Sequence, residues 1–342
     1  LRWEDDDRKS VWAIQDGKLL RLFEAELPGR VSAVSEGEGE LLLVLNQAIM
    51  LPEEDSDGTD YRNHYWAYIL SEDGTLRDSL DLGEEAAVRG GFLDRDRIFL
   101  DSACYNLRAH RREWSLAEGQ TEEDSFMPCH LHGGRLALCY HIRDAGGERR
   151  RHLATFLPDG SEQVTRELPG DCHEHGILAY GDGLLLNLGR ELVCYDAFLT
   201  ERWRAQLGEG RTPDFYETRL DEVSEILYLY AYNRVAAFDL RQHRIRAERQ
   251  LADGESCFLH GVLPGVGAVM LVGDSTIQVW DADLKLISRH RTKGGIARLL
   301  HQDGKTFLLT RVWPQNDFRM TKDGYDFVCL RSGCLRLYEL KK

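Results

Sequence analysis

Helix signals are almost missing from this sequence. No stretch carries apolar residues at i, i+3, i+4 and i+7 between recognisable caps, which argues against an α or α/β architecture. Long apolar runs are missing as well: the longest, Ile226 to Tyr232 (ILYLYAY), is far short of the ~20 residues a membrane-spanning helix needs. The first residues, LRWEDDDRK, are charged and lack the apolar centre of a secretory leader. Basic charge is in short supply, with 43 Lys and Arg against 58 Asp and Glu for a formal net charge of -15. Neither nucleic acid nor an anionic membrane is an expected partner of such a chain, because both demand a basic footprint. Catalytic templates are absent too: no G-x-S-x-G elbow, no G-x-G-x-x-G after a strand, no P-loop and no H-E-x-x-H. No Ser/Gly/Pro linker divides the chain, so one domain is expected. The eight cysteines are scattered rather than arranged as a framework, which suits reduced thiols and a cytoplasmic location.

What the sequence does have is turns and a repeat. Asp-Gly stands at Asp16, Asp57, Asp73, Asp159, Asp182, Asp253, Asp303 and Asp323, mostly between β-rich runs. Asp-Gly suits the positive φ of a type I′ hairpin turn, so its recurrence predicts antiparallel meanders. Aromatic–aspartate pairs close three apolar runs at Tyr195-Asp196, Phe238-Asp239 and Trp280-Asp281, in steps of 43 and 42 residues. Each is followed by a few polar residues and a second alternating run, the pattern of strand, tight turn, strand. A hairpin-built period of 40 to 45 residues is that of one four-stranded propeller blade. The predicted fold is therefore all-β, a β-propeller of seven four-stranded antiparallel blades, with eight as the alternative.

The blades fall at about 30–82, 87–118, 126–168, 172–207, 215–251, 257–291 and 296–340, and residues 1–29 supply a hairpin that helps close the ring. Two segments exceed the template, Leu51 to His64 and Trp313 to Gly324, and both read as polar loops. Long loops on rigid scaffolds are where binding residues concentrate.

Trp280-Asp281 with His260-Gly261 twenty residues earlier resembles the WD-repeat pattern, and Tyr195-Asp196 with His175-Gly176 repeats it. The family's order is GH; here it is HG. Tyr195 to Trp203 (YDAFLTERW) is also similar to the quinoprotein-type repeat, lacking the family's glycine before the tryptophan. The resemblance implies a WD-like or quinoprotein-like propeller in which a late tryptophan docks on the neighbouring blade.

Three register-matched clusters stand out: Cys129-His130-Leu131-His132, Cys172-His173-Glu174-His175 and Cys257-Phe258-Leu259-His260. All fall on the expected first, channel-lining strand of a blade. Alternation would send His130 and His132 to one face. Imidazole and thiolate are zinc or copper ligands, so His130, His132, His173 and His175 are the candidate metal set. The competing reading is blade-locking histidines with no cofactor. The run Glu53 to Gly58 departs from a calcium loop in lacking the bidentate Glu at its twelfth position, and reads as a solvated acidic loop.

The expected function is a non-enzymatic scaffold, a propeller subunit of a multi-protein assembly that binds another protein. Tyr61, His64, Trp313 and Phe318, in or beside the two long segments, are the candidate contacts. The alternative is a propeller, enzymes included, that holds a small ligand or metal at a Cys/His site in its channel.

Overall fold

A computed structural model describes residues 8–15, 18–27, 29–37, 39–50, 61–71, 73–83, 90–100, 103–115, 129–143, 149–169, 176–208, 215–232, 234–251, 257–273, 275–292, 295–302, 304–312, 315–321, 324–331 and 334–340. Strands and turns account for all of the regular structure among them. No helix there is long and apolar enough to cross a membrane.

The chain opens on a hairpin of β1 (Arg8–Gln15) and β2 (Lys18–Glu26). Blade 1 follows as β3 (Arg30–Gly37), β4 (Glu40–Met50), β5 (Tyr61–Ser71) and β6 (Leu76–Gly83). Blade 2 is β7 (Gly90–Phe92), β8 (Arg97–Leu100), β9 (Ala103–Asn106) and β10 (Arg111–Ser115). Blade 3 is β11 (Cys129–His130), β12 (Leu136–Arg143), β13 (Arg149–Phe156) and β14 (Val164–Glu167). Blade 4 is β15 (Gly176–Tyr180), β16 (Gly183–Asn187), β17 (Glu191–Asp196) and β18 (Glu201–Gln206). Blade 5 is β19 (Glu217–Asp221), β20 (Ile226–Ala231), β21 (Arg234–Asp239) and β22 (Arg244–Gln250). Blade 6 is β23 (Cys257–Leu263), β24 (Gly267–Val272), β25 (Thr276–Trp280) and β26 (Leu286–Arg291). Blade 7 contains β27 (Gly295–Gln302), β28 (Lys305–Val312) and β31 (Cys334–Leu340), with a hairpin of β29 (Gln315–Thr321) and β30 (Gly324–Arg331) inserted between the last two.

Each of the first six blades is a four-stranded antiparallel meander paired in chain order, and together the seven form a β-propeller. First strands of consecutive blades approach one another, β3 with β7, β11 with β15, β15 with β19 and β19 with β23, so they are the innermost. The seventh sheet has three hydrogen-bonded strands, and β2 lies beside its outermost one, β31.

Burial explains why the strands read as they do. Second and third strands are covered on both sides by neighbouring blades, so β16 and β20 are buried throughout and carry continuous apolar runs. Outer strands meet solvent: β22 has no buried residue and is accordingly charged. Six hydrophobic clusters fill the gaps between consecutive blades, and a seventh packs Leu27, just past β2, against Leu43, Leu45 and Leu70 of blade 1. Tyr195, Phe238 and Trp280, the repeated aromatics, are the plugs of three of these gaps, each at most 1% exposed.

The aspartates beside them shape the hairpins. Asp196 Oδ1 accepts the N–H groups of Phe198 and Thr200 at 2.8 and 2.9 Å, Asp281 those of Asp283 and Lys285 at 2.9 Å each, and Asp239 those of Arg241 and Gln242. The turn is not the type I′ that Asp-Gly suggests. In blades 3, 4 and 6 it is a three-residue connection with a single left-handed residue at its end, Gly160, Leu199 or Leu284, and Gly74 holds the corresponding place in blade 1. Such a turn needs one positive φ rather than two. It accompanies the register shifts beside Leu70, Tyr195 and Trp280.

The two long segments also differ from the expected loops. Tyr61–His64 belong to β5, and Gln315–Thr321 form a strand paired with β30, while residues 51–60, 313–314 and 322–323 lie outside the described residues.

Candidate functional site

An up-and-down blade places its first-to-second and third-to-fourth turns at one end, and its second-to-third turn with the link to the next blade at the other. The two faces of the disc are therefore built differently here. One is stitched by short turns that reach across blade boundaries. Asp221, buried at the end of β19, accepts Ser224 Oγ at 2.7 Å and, across the gap, the N–H of Gly265 at 3.0 Å. Thr155 Oγ1 donates to the Ala197 carbonyl at 2.7 Å, and the Arg135 guanidinium lies 4.8 Å from the Phe198 ring centre. Trp114 of β10 packs edge-on to Phe156, 5.1 Å between centres, and donates to the Pro158 carbonyl at 3.3 Å. Trp203 of β18 stacks on Phe238 and His243 of the next blade, at 6.1 and 4.3 Å. Trp203 thus docks as the quinoprotein-type resemblance implies, and Trp114 makes the equivalent contact one boundary earlier.

The opposite face carries the long connections. In blade 1, β3 ends its pairing at Asn46 and β6 reaches only Tyr65, so Gln47–Met50 and Tyr61–His64 pair with each other alone. Four residue pairs make a ribbon that projects about 13 Å. His64 braces its base, with Nε2 2.6 Å from Asp81 Oδ1 and its ring 4.1 Å from that of Trp66. The Asp81 carboxyl is held below the usual carboxylate range by the Gly83 N–H first and His64 second. The β29–β30 hairpin sits in the same type of connection in blade 7. Blade 3 extends likewise through Arg143↔Arg149, and Arg151 Nε donates to His141 Nε2 at 2.9 Å.

At the boundary of blades 5 and 6 the same face bears an aromatic strip. Tyr230 lies 5.5 Å from Tyr216 at 81°, and 6.0 Å from Phe258; Tyr216 lies 6.5 Å from Tyr232 at 62°. Tyr230 is buried as the floor, whereas Tyr232 is 84% exposed and Phe258 47%. Glu217 is the register partner of Tyr230, which sends both side chains to one side of the sheet. Glu217 Oε2 is buried and accepts no hydrogen bond from a described residue. Burial raises the Tyr216 and Tyr230 hydroxyl pKa values, and the Glu217 charge adds to the rise. Deeper along β23, His260 is held below the ordinary imidazole value by burial and then by Arg219.

Of the candidate contacts, Tyr61 stands at the far end of the described ribbon and His64 at its base, while Phe318 lies on β29 and Trp313 falls outside the described residues. Of the candidate metal set, His173 and His175 also fall outside them. His130 ends β11 and its Nε2 is 2.9 Å from the Phe92 carbonyl of blade 2. His132 is on an exposed turn rather than two places along a strand, because β11 is only two residues long and Leu131 already opens the turn to Arg135. Among the described residues no three His, Cys, Asp or Glu side chains gather as a metal site. The aromatic strip escaped sequence reasoning, although Tyr228, Tyr230 and Tyr232 alternate along ILYLYAY and so share one side, running from core to surface.

The crystal structure of BamB from Moraxella catarrhalis superposes with a TM-score of 0.60 at 11% identity, covering 89% of this chain and 95% of that one. That of the C-terminal WD40 domain of Sif2 gives 0.57 at 11% identity, covering 96% and 89%. The fold is a β-propeller. No family model matches the sequence, and no curated protein matches it either. At such identities the likeness of this propeller extends to architecture alone.

Proposed function

We propose that the chain is a non-enzymatic scaffold that binds another protein, as a subunit of an assembly, through the face bearing the long connections. One observation carries this reading: the blade 1 ribbon, the blade 7 hairpin, the blade 3 extension and the exposed aromatic strip all fall on that face. The other face is consumed by turn-to-turn contacts. Exposed aromatics on a rigid frame are frequent anchors of protein interfaces. Tyr61, Trp313 and Phe318 are the proposed contacts of the two hairpins, with His64 supporting the first.

The test is gentle affinity purification of the tagged chain from its native cells, with mass spectrometry and elemental analysis on one eluate. The expected result is a near-stoichiometric protein partner that is lost from a Tyr61→Ala/Phe318→Ala variant whose melting temperature is unchanged. A chain that elutes alone with an equimolar transition metal would reverse the reading in favour of a Cys/His channel site.

A further inference from the structure

We infer that the aromatic strip of blades 5 and 6 receives a lysine or arginine side chain from a basic segment of the partner, an inference that rests on the scaffold reading above. Cations are drawn to aromatic faces within about 6 Å of the ring centre. This molecule uses that attraction repeatedly at its own blade boundaries: Arg166 covers Tyr195 at 5.1 Å, Arg234 covers Phe215 at 4.0 Å and Arg249 covers Trp280 at 4.4 Å. Over Tyr216, Tyr230, Tyr232 and Phe258 no described arginine or lysine stands.

The carboxylate at the strip points the same way. Glu217 Oε2 is shielded from water and has no donor among the described residues, which is costly for a charged oxygen and is relieved by a cation. Arg219, two residues along, donates to the Thr218 carbonyl and lies beside His260. An ammonium or guanidinium entering between Tyr232 and Phe258 would find ring faces first and the carboxylate beneath. The net charge of -15 favours the approach of a basic segment and disfavours an acidic one.

A fluorescein-labelled peptide of alternating Arg and Ser, and the same peptide with the uncharged isostere citrulline for Arg, are titrated with the purified chain at about 150 mM salt, where diffuse surface attraction is largely screened. Fluorescence anisotropy should show saturable binding of the arginine peptide and at least a tenfold weaker response to citrulline, roughly the scale of one desolvated cation–π contact with its charge partner. Tyr232→Ala, at an exposed position that does not bear on folding, and Glu217→Gln should each weaken binding by about tenfold. Glu222→Gln, an exposed charge on the opposite face, should leave it unchanged. Equal binding by all variants would assign the attraction to the acidic surface at large and overturn the inference. So would a native partner retained in full by Tyr232→Ala and Glu217→Gln, while the scaffold reading stood. Failure to recover any partner would overturn both.

Discussion

The residues that hold adjacent blades together are small in number and specific in chemistry. Asp221 is 1% exposed and its oxygens receive Ser224 Oγ and the N–H groups of Val223, Ser224 and Gly265, the last from another blade. Asp221→Ala takes the charged acceptor away from those donors, and the expected cost is about 3 kcal/mol, read as a lower urea midpoint at unchanged m-value. Leu284 shows an opposite bargain. A left-handed φ of 56° suits glycine, yet the side chain is 95% buried in the gap between blades 5 and 6. Strain of about 1 kcal/mol is outweighed by burial of about 3 kcal/mol, so Leu284→Gly should lose about 2 kcal/mol where a rule based on turns alone expects a gain. His260 and His301 are both held below the ordinary imidazole value by burial. The unfolded chain takes up protons below about pH 6.5 that the folded one refuses, so stability is full above that value and falls as pH drops through it. Melting temperatures measured from pH 7.5 to 5 should decline across that window. His260→Leu, which cannot titrate, should flatten part of the slope.

Hairpins are where the sequence was most legible. Aromatic–aspartate spacing located the third strands of blades 4, 5 and 6, because one residue must fill the gap and the next must accept the turn's N–H groups. The same unit in blade 2 is Tyr105-Asn106, whose Oδ1 accepts the Ala109 N–H, and an amide in place of the acid hid it. In blade 3 Phe156 fills the gap, but the turn acid is displaced to Asp159. Blade 7 lost its spacing to the inserted β29–β30 hairpin, which defers the outer strand to Cys334–Leu340. The blade 2–3 clasp offers a test at this scale. Gly160 has φ 79°, and a Cβ there would sit 2.9 Å from the Trp114 ring. Gly160→Ala should cost about 2 kcal/mol, and Trp114→Ala about 3 kcal/mol, each by urea denaturation.

Over the whole disc, the division of labour between faces could not be read from residues in order. Tyr216 and Glu217 sit beside Tyr230 and Tyr232 because β19 pairs with β20, and Phe258 joins them only because β23 packs against both strands. The blade 1 ribbon and the blade 7 hairpin lie at opposite ends of the chain, and both occupy second-to-third connections, which share one face of the propeller. If one partner engages both, replacing residues 48–63 by a short turn that keeps His64 should abolish binding and leave the thermal midpoint within about 2 °C, since Ala48–Met50 and Tyr61–Asn63 pair only with each other.

The seating of β2 beside β31 also sets a clock. On the ribosome, the first hairpin emerges about 300 residues before the strand it adjoins. At 5 to 20 residues per second it waits roughly 15 to 60 s. Throughout that interval an edge strand and the face of blade 1 are open to any other nascent chain. Slowed elongation should therefore lower the yield of folded protein far more than it lowers synthesis, and a chaperone that shields the amino-terminal hairpin should restore it.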